Sequence, residues 1–330
     1  MSGLPVTARA PMAAWLAMAV AIPLCAQIPA TTISEADAAL QAGEADKALA
    51  LLTPLSASGQ DAAEAHNLAC RVRFTLQQWD AAAKECEEAV RLDGSNSNYH
   101  MWLGRALGQK AERAMFLTAF SLGKRVRSEF EEAVRLDPRN AEALTDLGHF
   151  YRSAPGIVGG GMDKAENIAA QLERIDPARA HQLRGEIAEG RKDLSAAERE
   201  LRQAIAVSSH PASQWTVLAG FYSRRQRWTE MEAAVHSCAN AAARDKHAGV
   251  ALYDGAGVLI AASRDPAFAA KMLEDYLASS SQTEEAPAFI AHIRLGRLKQ
   301  QLGDDAGAKR EFAAASALAH EYNPAQDSKA

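Results

Sequence analysis

The sequence predicts an all-α chain of stacked antiparallel helix pairs, and three observations carry that reading. Alanine dominates an apolar fraction of 48%, while aromatic residues make up only 6%, a composition suited to close helix packing rather than to a β-branched sheet core. Apolar residues recur at three- and four-residue intervals, as in Ala308, Phe312, Ala315 and Leu318, which puts them on one helical stripe. Segments of this kind recur along the chain, each with a turn such as Gly303-Asp304 between its two halves.

The N-terminus, MSGLPVTARAPMAAWLAMAVAIPLCAQ, carries Arg9, then an apolar run from Met12 to Leu24, then small residues. This is the layout of a secretory signal, with Ala26 as the last residue before cleavage. The run is short for a bilayer span, and Pro23 near its end fits cleavage better than anchoring. Lipidation of Cys25 is disfavoured because bulky Leu24 precedes it. The expected organisation is a signal at 1–26, a helical-repeat domain at 27–322 and a short tail at 323–330, in a protein exported to a periplasm or beyond.

The repeating segments then follow in order. AGEADKALALLTPL is a weak first unit. WDAAAKECEEAVRLDGSN supplies Trp79, Ala82, Cys86, Ala89 and Leu92; the segment 97–112 supplies Leu103 and Gly104; FEEAVRLDPRN supplies Phe130, Ala133, Leu136 and Pro138. NAEALTDLGHFY carries Leu147, Gly148 and Tyr151, and the next unit carries Gly185, Leu194, Ala197, Leu201 and Ala204. Trp215, Leu218, Ala219, Tyr222, Trp228 and Cys238 mark another, DPAFAAKMLEDYL is weaker, and residues 289–322 form the clearest unit of all. In each, a small residue lets the second helix approach and a large one fills the space beside it. The segment 105–128 is longer than its counterparts, and 246–262 keeps their length better than their identity.

These units resemble tetratricopeptide repeats, helix-turn-helix modules of about 34 residues. The resemblance covers nearly all of the chain after the signal. It implies an α-solenoid of about seven or eight stacked pairs in a right-handed superhelix, because one hairpin cannot bury its apolar stripe alone. It also implies a protein-binding scaffold whose concave groove holds a peptide or protein. The first-helix positions that face such a groove are Met101, Arg105 and Gln109; Thr145, His149 and Arg152; Thr216 and Arg224; and Ile293, Arg297 and Gln300. Recurring arginines suit an acidic or carboxylate-bearing peptide, but the lysine–asparagine clamp with which some relatives hold a C-terminal carboxylate is not evident. The competing reading is a structural or assembly subunit of a cell-envelope complex.

The glycine cluster in FYRSAPGIVGGGMDKAE breaks the helical pattern. It is not a nucleotide-binding loop, since Met162, Asp163 and Lys164 stand where Gly-Lys-Ser/Thr or a final glycine would be needed, and no strand precedes it. It reads as a turn enlarged by about five residues, with Asp163 and Glu166 as a capping box for the next helix. Ile157 and Val158 are apolar in a projecting loop and are candidates for partner contact.

Cys70 and Cys86 lie about equally far from the turn near Gln78, so a hairpin can set them opposite each other. Two readings stay open, a disulfide or two small core residues. The nine histidines fall in different repeats with no catalytic pattern to organise them. No metal or cofactor motif is present, and the chain is expected not to be an enzyme. A net charge of −5, with no polybasic segment in the sequence, gives no support to nucleic-acid or acidic-membrane binding.

Overall fold

The computed structural model of the chain describes residues 32–57 and 59–322. The expected signal at 1–26, Cys25 and the tail at 323–330 lie outside the described residues. Among those described, the chain is all-α, with sixteen helices in eight antiparallel pairs. The first four pairs are α1 (Ile33–Gln41) with α2 (Ala45–Ser56), α3 (Ala62–Thr75) with α4 (Trp79–Leu92), α5 (Ser97–Arg113) with α6 (Phe116–Leu136), and α7 (Ala141–Ser153) with α8 (Met162–Leu172). The last four are α9 (Pro177–Gly190) with α10 (Leu194–Val207), α11 (Pro211–Arg224) with α12 (Trp228–Ala242), α13 (Gly249–Ala261) with α14 (Pro266–Ala278), and α15 (Ala288–Gln301) with α16 (Asp305–Leu318).

Local chemistry sets the helix starts. Thr32 and Glu35 form a reciprocal capping box on α1, and the side chains of Asn140, Asp176, Asp193, Asp265 and Asp304 each accept from a backbone N–H in the first turn that follows. Pro177, Pro211 and Pro266 occupy the first helical position, where the missing N–H costs nothing. Pro177 therefore opens a unit.

Within a pair, a small residue on the first helix receives a large one from the second. A Cβ on Gly104 would lie 2.5 Å from the Phe130 ring, one on Gly185 2.8 Å from Leu201, and one on Gly296 2.6 Å from Phe312. In α3–α4 the same register holds Cys70 and Cys86, which are joined by a disulfide with their Cα atoms 5.2 Å apart. The crosslink replaces the contact of a glycine with a large side chain made at those three pairs.

Four of the nine histidines, in four different pairs, follow the same register. His66 meets Glu85, His181 meets Glu200 and His292 meets Glu311, each through Nδ1 at 2.7–2.8 Å and each 19 positions apart. His100 makes the equivalent contact to Glu129 at 2.7 Å over 29 positions, because its hairpin is longer. These pairs tie the first helix of a unit to the second.

Two elaborations sit side by side. Helices α5 and α6 have 17 and 21 residues, whereas α12, the next longest, has 15. The enlarged turn after α7 holds a single 3-10 turn, Gly156–Val158, and folds back onto α6. Val158 is buried and packs beside Gly123 of α6, where a Cβ would lie 3.4 Å from the valine side chain. Arg127 of α6 donates to the Val158 carbonyl at 3.4 Å, and Lys164 donates to that of Gly159 at 2.8 Å. The expected capping box does not form: α8 begins at Met162 after Gly161, and Asp163 and Glu166 instead pair with Arg191 of the next unit. The side chain that caps a helix must precede it, and Asp163 already lies within it.

The eight pairs close on themselves. The backbone of Ala288 sits so near Gly43 that a Cβ there would be 2.7 Å from the Ala288 nitrogen. Arg71 on α3 donates from Nε to both carboxylate oxygens of Glu284, at 2.9 and 3.1 Å. Arg73 reaches Glu321 at 3.0 Å, Gln77 donates to the Tyr322 hydroxyl at 3.2 Å, and His320 pairs with Asp46 at 2.7 Å. Buried residues of α1–α3 belong to one apolar core with those of α10–α16.

Candidate functional site

The first helices of successive pairs line the inner wall, and two hollows open there. The larger, about 1380 Å³, is bounded by α7, α9, α11, α13 and α15 through residues that include His149, Arg152, Glu186, Glu189, Asp254 and Arg294. The smaller, about 550 Å³, lies among α3, α5, α7 and the α14–α15 connection, where Trp102, Arg105, Glu284 and Glu285 face it.

The pattern-derived groove residues divide on this wall. His149, Arg152, Thr216 and Arg224 line the larger hollow, and Met101 and Arg105 the smaller. Gln109, Thr145, Ile293, Arg297 and Gln300 line neither. Met101, Thr216 and Ile293 are buried in packing, and the Thr145 hydroxyl donates to the Ala141 carbonyl of its own helix. In the loop, Ile157 is 69% exposed while Val158 is only 7% exposed.

Most inner arginines already have carboxylate partners from the neighbouring unit. Arg105 donates to Asp146 at 2.6 Å and Glu142 at 3.3 Å while stacking on Trp102, its guanidinium 4.6 Å from the ring centroid. Arg71 lies 5.6 Å from the same ring, so two cations share one indole. Glu189 accepts two hydrogen bonds from Arg224 and a third from Arg225, and Glu186 stands 3.1 Å from His149 and 3.3 Å from Arg152. Burial works to raise the Glu186 carboxyl, but His149 and Arg152 together hold it below its ordinary range. For Asp146, burial wins over Arg105 and the carboxyl rises.

Arg294 differs from the other arginines of the larger hollow. It stacks on Tyr253 at 4.4 Å, and among the described residues no carboxylate lies within ion-pair distance of it, whereas Arg152, Arg224 and Arg225 each have one; an unbonded Nε it shares with Arg152 and Arg225. Asp254, one residue past that tyrosine, is open to the hollow. The protein crowded around Asp254 pushes its carboxyl up to about 6, with Arg294 opposing the shift and Glu285 adding to it. The sequence pattern nominated none of Glu186, Glu189, Asp254 or Arg294. The carboxylates could have been found by asking what neutralises arginines repeated on one face. Among the described residues no cluster of three or more histidine, cysteine, aspartate or glutamate side chains could hold a metal ion, and no helix is long and apolar enough to cross a membrane.

No family model matches the chain. Over 135 residues, 39% of this chain, it is 30% identical to superkiller complex protein 3 of Mus musculus, and over 136 residues it is 28% identical to the Homo sapiens protein of that name. The chain spans about 8% of the length of these relatives. Among solved structures it is similar to yeast Tom70, with a TM-score of 0.53 at 14% identity over 83% of this chain and 55% of that one. It is also similar to a thermophilic tetratricopeptide-repeat protein of Thermus thermophilus, with a TM-score of 0.49 at 18% identity over 58% of this chain and 98% of that one. The likeness to yeast Tom70, with the eight antiparallel helix pairs, shows that the chain has a tetratricopeptide-repeat-like fold.

Proposed function

We propose that the protein is an exported scaffold that holds an extended protein or peptide segment against the inner wall formed by α7, α9, α11, α13 and α15. The larger hollow carries this reading. At about 1380 Å³ it exceeds the roughly 300–1,000 Å³ of a small-molecule pocket, and helices from five consecutive pairs supply its surface. Side chains fixed there by stacking and ion pairs lose little freedom when a ligand arrives, which lowers the cost of binding. A preference for an acidic segment rests on Arg294, because Arg152, Arg224 and Arg225 are already engaged by Glu186 and Glu189. The Cys70–Cys86 disulfide supports residence in an oxidising compartment such as a periplasm.

The test is an array of extended peptides of graded charge, probed with the parent protein, Gly257→Trp and Arg294→Glu. Gly257 lines the hollow, and its Cβ position lies 3.4 Å from Arg294 Nη1, so an indole there fills the hollow without entering the core. The expected result is peptide binding that the tryptophan abolishes at unchanged thermal stability, with acidic peptides lost selectively in the glutamate variant. Equal binding by all three proteins would show that the segment sits elsewhere.

A further inference from the structure

We propose that the tip of the α5–α6 hairpin docks on an anionic lipid surface, by insertion of Met115, Phe116 and Leu117 into the headgroup–acyl boundary. This reading is independent of the inner wall. The three side chains are 84%, 77% and 79% exposed, and Ile157 is the one other large apolar residue more than half exposed among those described. They stand at the end of the two longest helices described, α5 and α6.

The arrangement favours lipid over a protein partner. Consecutive residues at a helix start point about 100° apart around its axis, so Met115, Phe116 and Leu117 do not share a face. A partner with a fixed surface could cover one or two of them, whereas a fluid interface surrounds a tip on all sides. Their apolar burial of about 5–10 Å would be typical of interfacial anchors.

Charge complements the apolar tip. Residues 108–125 contain Lys110, Arg113, Lys124 and Arg125 against a single acid, Glu112, in a chain whose net charge is −5. The basic residues are spread too thinly in sequence to form a polybasic run, but the hairpin gathers them behind the tip. Lys124 stands eight residues past Phe116, about 12 Å along the helix, and lies over the Phe120 ring at 4.3 Å. Arg113 spans the other helix end, hydrogen-bonded to Gln109 and stacked over Trp79. Long basic side chains of this kind keep their heads among phosphates while their stems cover apolar surface. Lys110 and Arg125 also pair with the exposed Asp80 and Glu87, contacts that are weak in water and exchangeable for lipid phosphate.

Vesicle co-sedimentation of the full chain tests this, using phosphatidylcholine vesicles with and without 30% phosphatidylglycerol. The parent should pellet with the anionic vesicles and be released by about 0.5 M salt. The triple variant Met115→Ser/Phe116→Ser/Leu117→Ser should partition at least about tenfold more weakly with an unchanged far-UV spectrum. A Phe116→Trp variant gives a local readout, since its added emission should be quenched by acyl-chain-brominated lipid. Equal pelleting of parent and triple variant without that quenching places any membrane contact outside the tip and overturns the proposal. So does a parent that stays in solution while the triple variant changes the oligomeric state, because the tip would then be a protein interface.

Discussion

From α9 to α16 the two helices of each pair are joined by a short turn, with Gly185 on Leu201 and Gly296 on Phe312 in one register, and the longer connections, 243–248 and 279–287, lie between pairs. From α3 to α8 the same positions are reworked: a disulfide replaces the glycine contact, the α5–α6 pair is lengthened, and the following turn is enlarged. The comparison shows that the two insertions form one feature. The extra turns of α6 expose a flank, and the glycine loop of the next unit lays Val158 on it. An insertion in one repeat is accommodated by an insertion in its neighbour, which leaves the stack unbroken.

The largest expected difference between the arcs concerns the crosslink. A disulfide closing a loop of this length (separation 16) stabilises by about 3 kcal/mol in the loop-entropy account. Reduction, or Cys70→Ala with Cys86→Ala, should therefore accelerate amide exchange in α3 and α4 strongly while α9–α16 change little. Uniform acceleration across all pairs would mean that the arcs unfold as one unit and that the register comparison has no energetic counterpart.

The seam where the arcs meet comes next. Arg71 and Glu284 are mostly buried, their side chains 16% and 10% exposed, and loss of a charged hydrogen bond of this kind costs roughly 1.5–3 kcal/mol. Arg71→Met should leave each arc folded but loosen the contact between α3 and the α14–α15 connection. Small-angle scattering is expected to show a larger radius of gyration at the same helix content. An unchanged profile would assign closure to the apolar contacts at Gly43 and Ala288 instead.

A third contrast sets two glycines against each other. At Gly185 a new Cβ meets Leu201 side-chain atoms at 2.8 and 2.9 Å, whereas at Gly160 it would lie 1.8 Å from the Ala154 carbonyl oxygen. A side chain can shift more readily than a backbone carbonyl within a packed loop. Gly160→Ala should cost about 2 kcal/mol and Gly185→Ala nearer 1 kcal/mol, both within the usual overpacking range. Urea midpoints check the order, and a reversal would show that the loop is looser than its packing on α6 implies.

The regular arc was far more legible in the sequence than the reworked one or the seam. Small and large positions about sixteen residues apart make local contacts, so periodicity alone places Gly185, Leu201, Gly296 and Phe312. The His–Glu pairs carried a readable signal that was overlooked: His66, His100, His181 and His292 each stand four residues before the small position of their unit, and their glutamates directly before the large one. The burial of Val158 was not legible, because its partner Gly123 belongs to another unit's insertion. Nor was the seam, where Arg71 and Glu284 are 213 positions apart and each looks like any charge on a helical protein. The inner-wall carboxylates were missed for a related reason, since a pattern that nominates arginines says nothing of who neutralises them.

The smallest expected effect distinguishes His100 from the other members of its register. Its Nδ1 meets Glu129 at 2.7 Å and its Nε2 meets the Gly94 carbonyl at 3.1 Å, so both ring nitrogens face acceptors and only the imidazolium can donate to both. The hydrogen bond to Glu129 raises its pKa; burial opposes this, and the Gly94 carbonyl adds to the rise. A group held above its unfolded value, about 6.5 for histidine, stabilises fully below that value and loses its contribution as pH climbs through the folded one. Stability from this pair should therefore be present at pH 5.5 and fade above neutrality. His100→Gln should lower the urea midpoint at pH 5.5, by no more than about 1 kcal/mol equivalent, and converge on the parent at higher pH. A gap between parent and variant that widens with rising pH would require His100 to be neutral in the folded protein, with one ring nitrogen accepting from a donor other than Glu129 or Gly94.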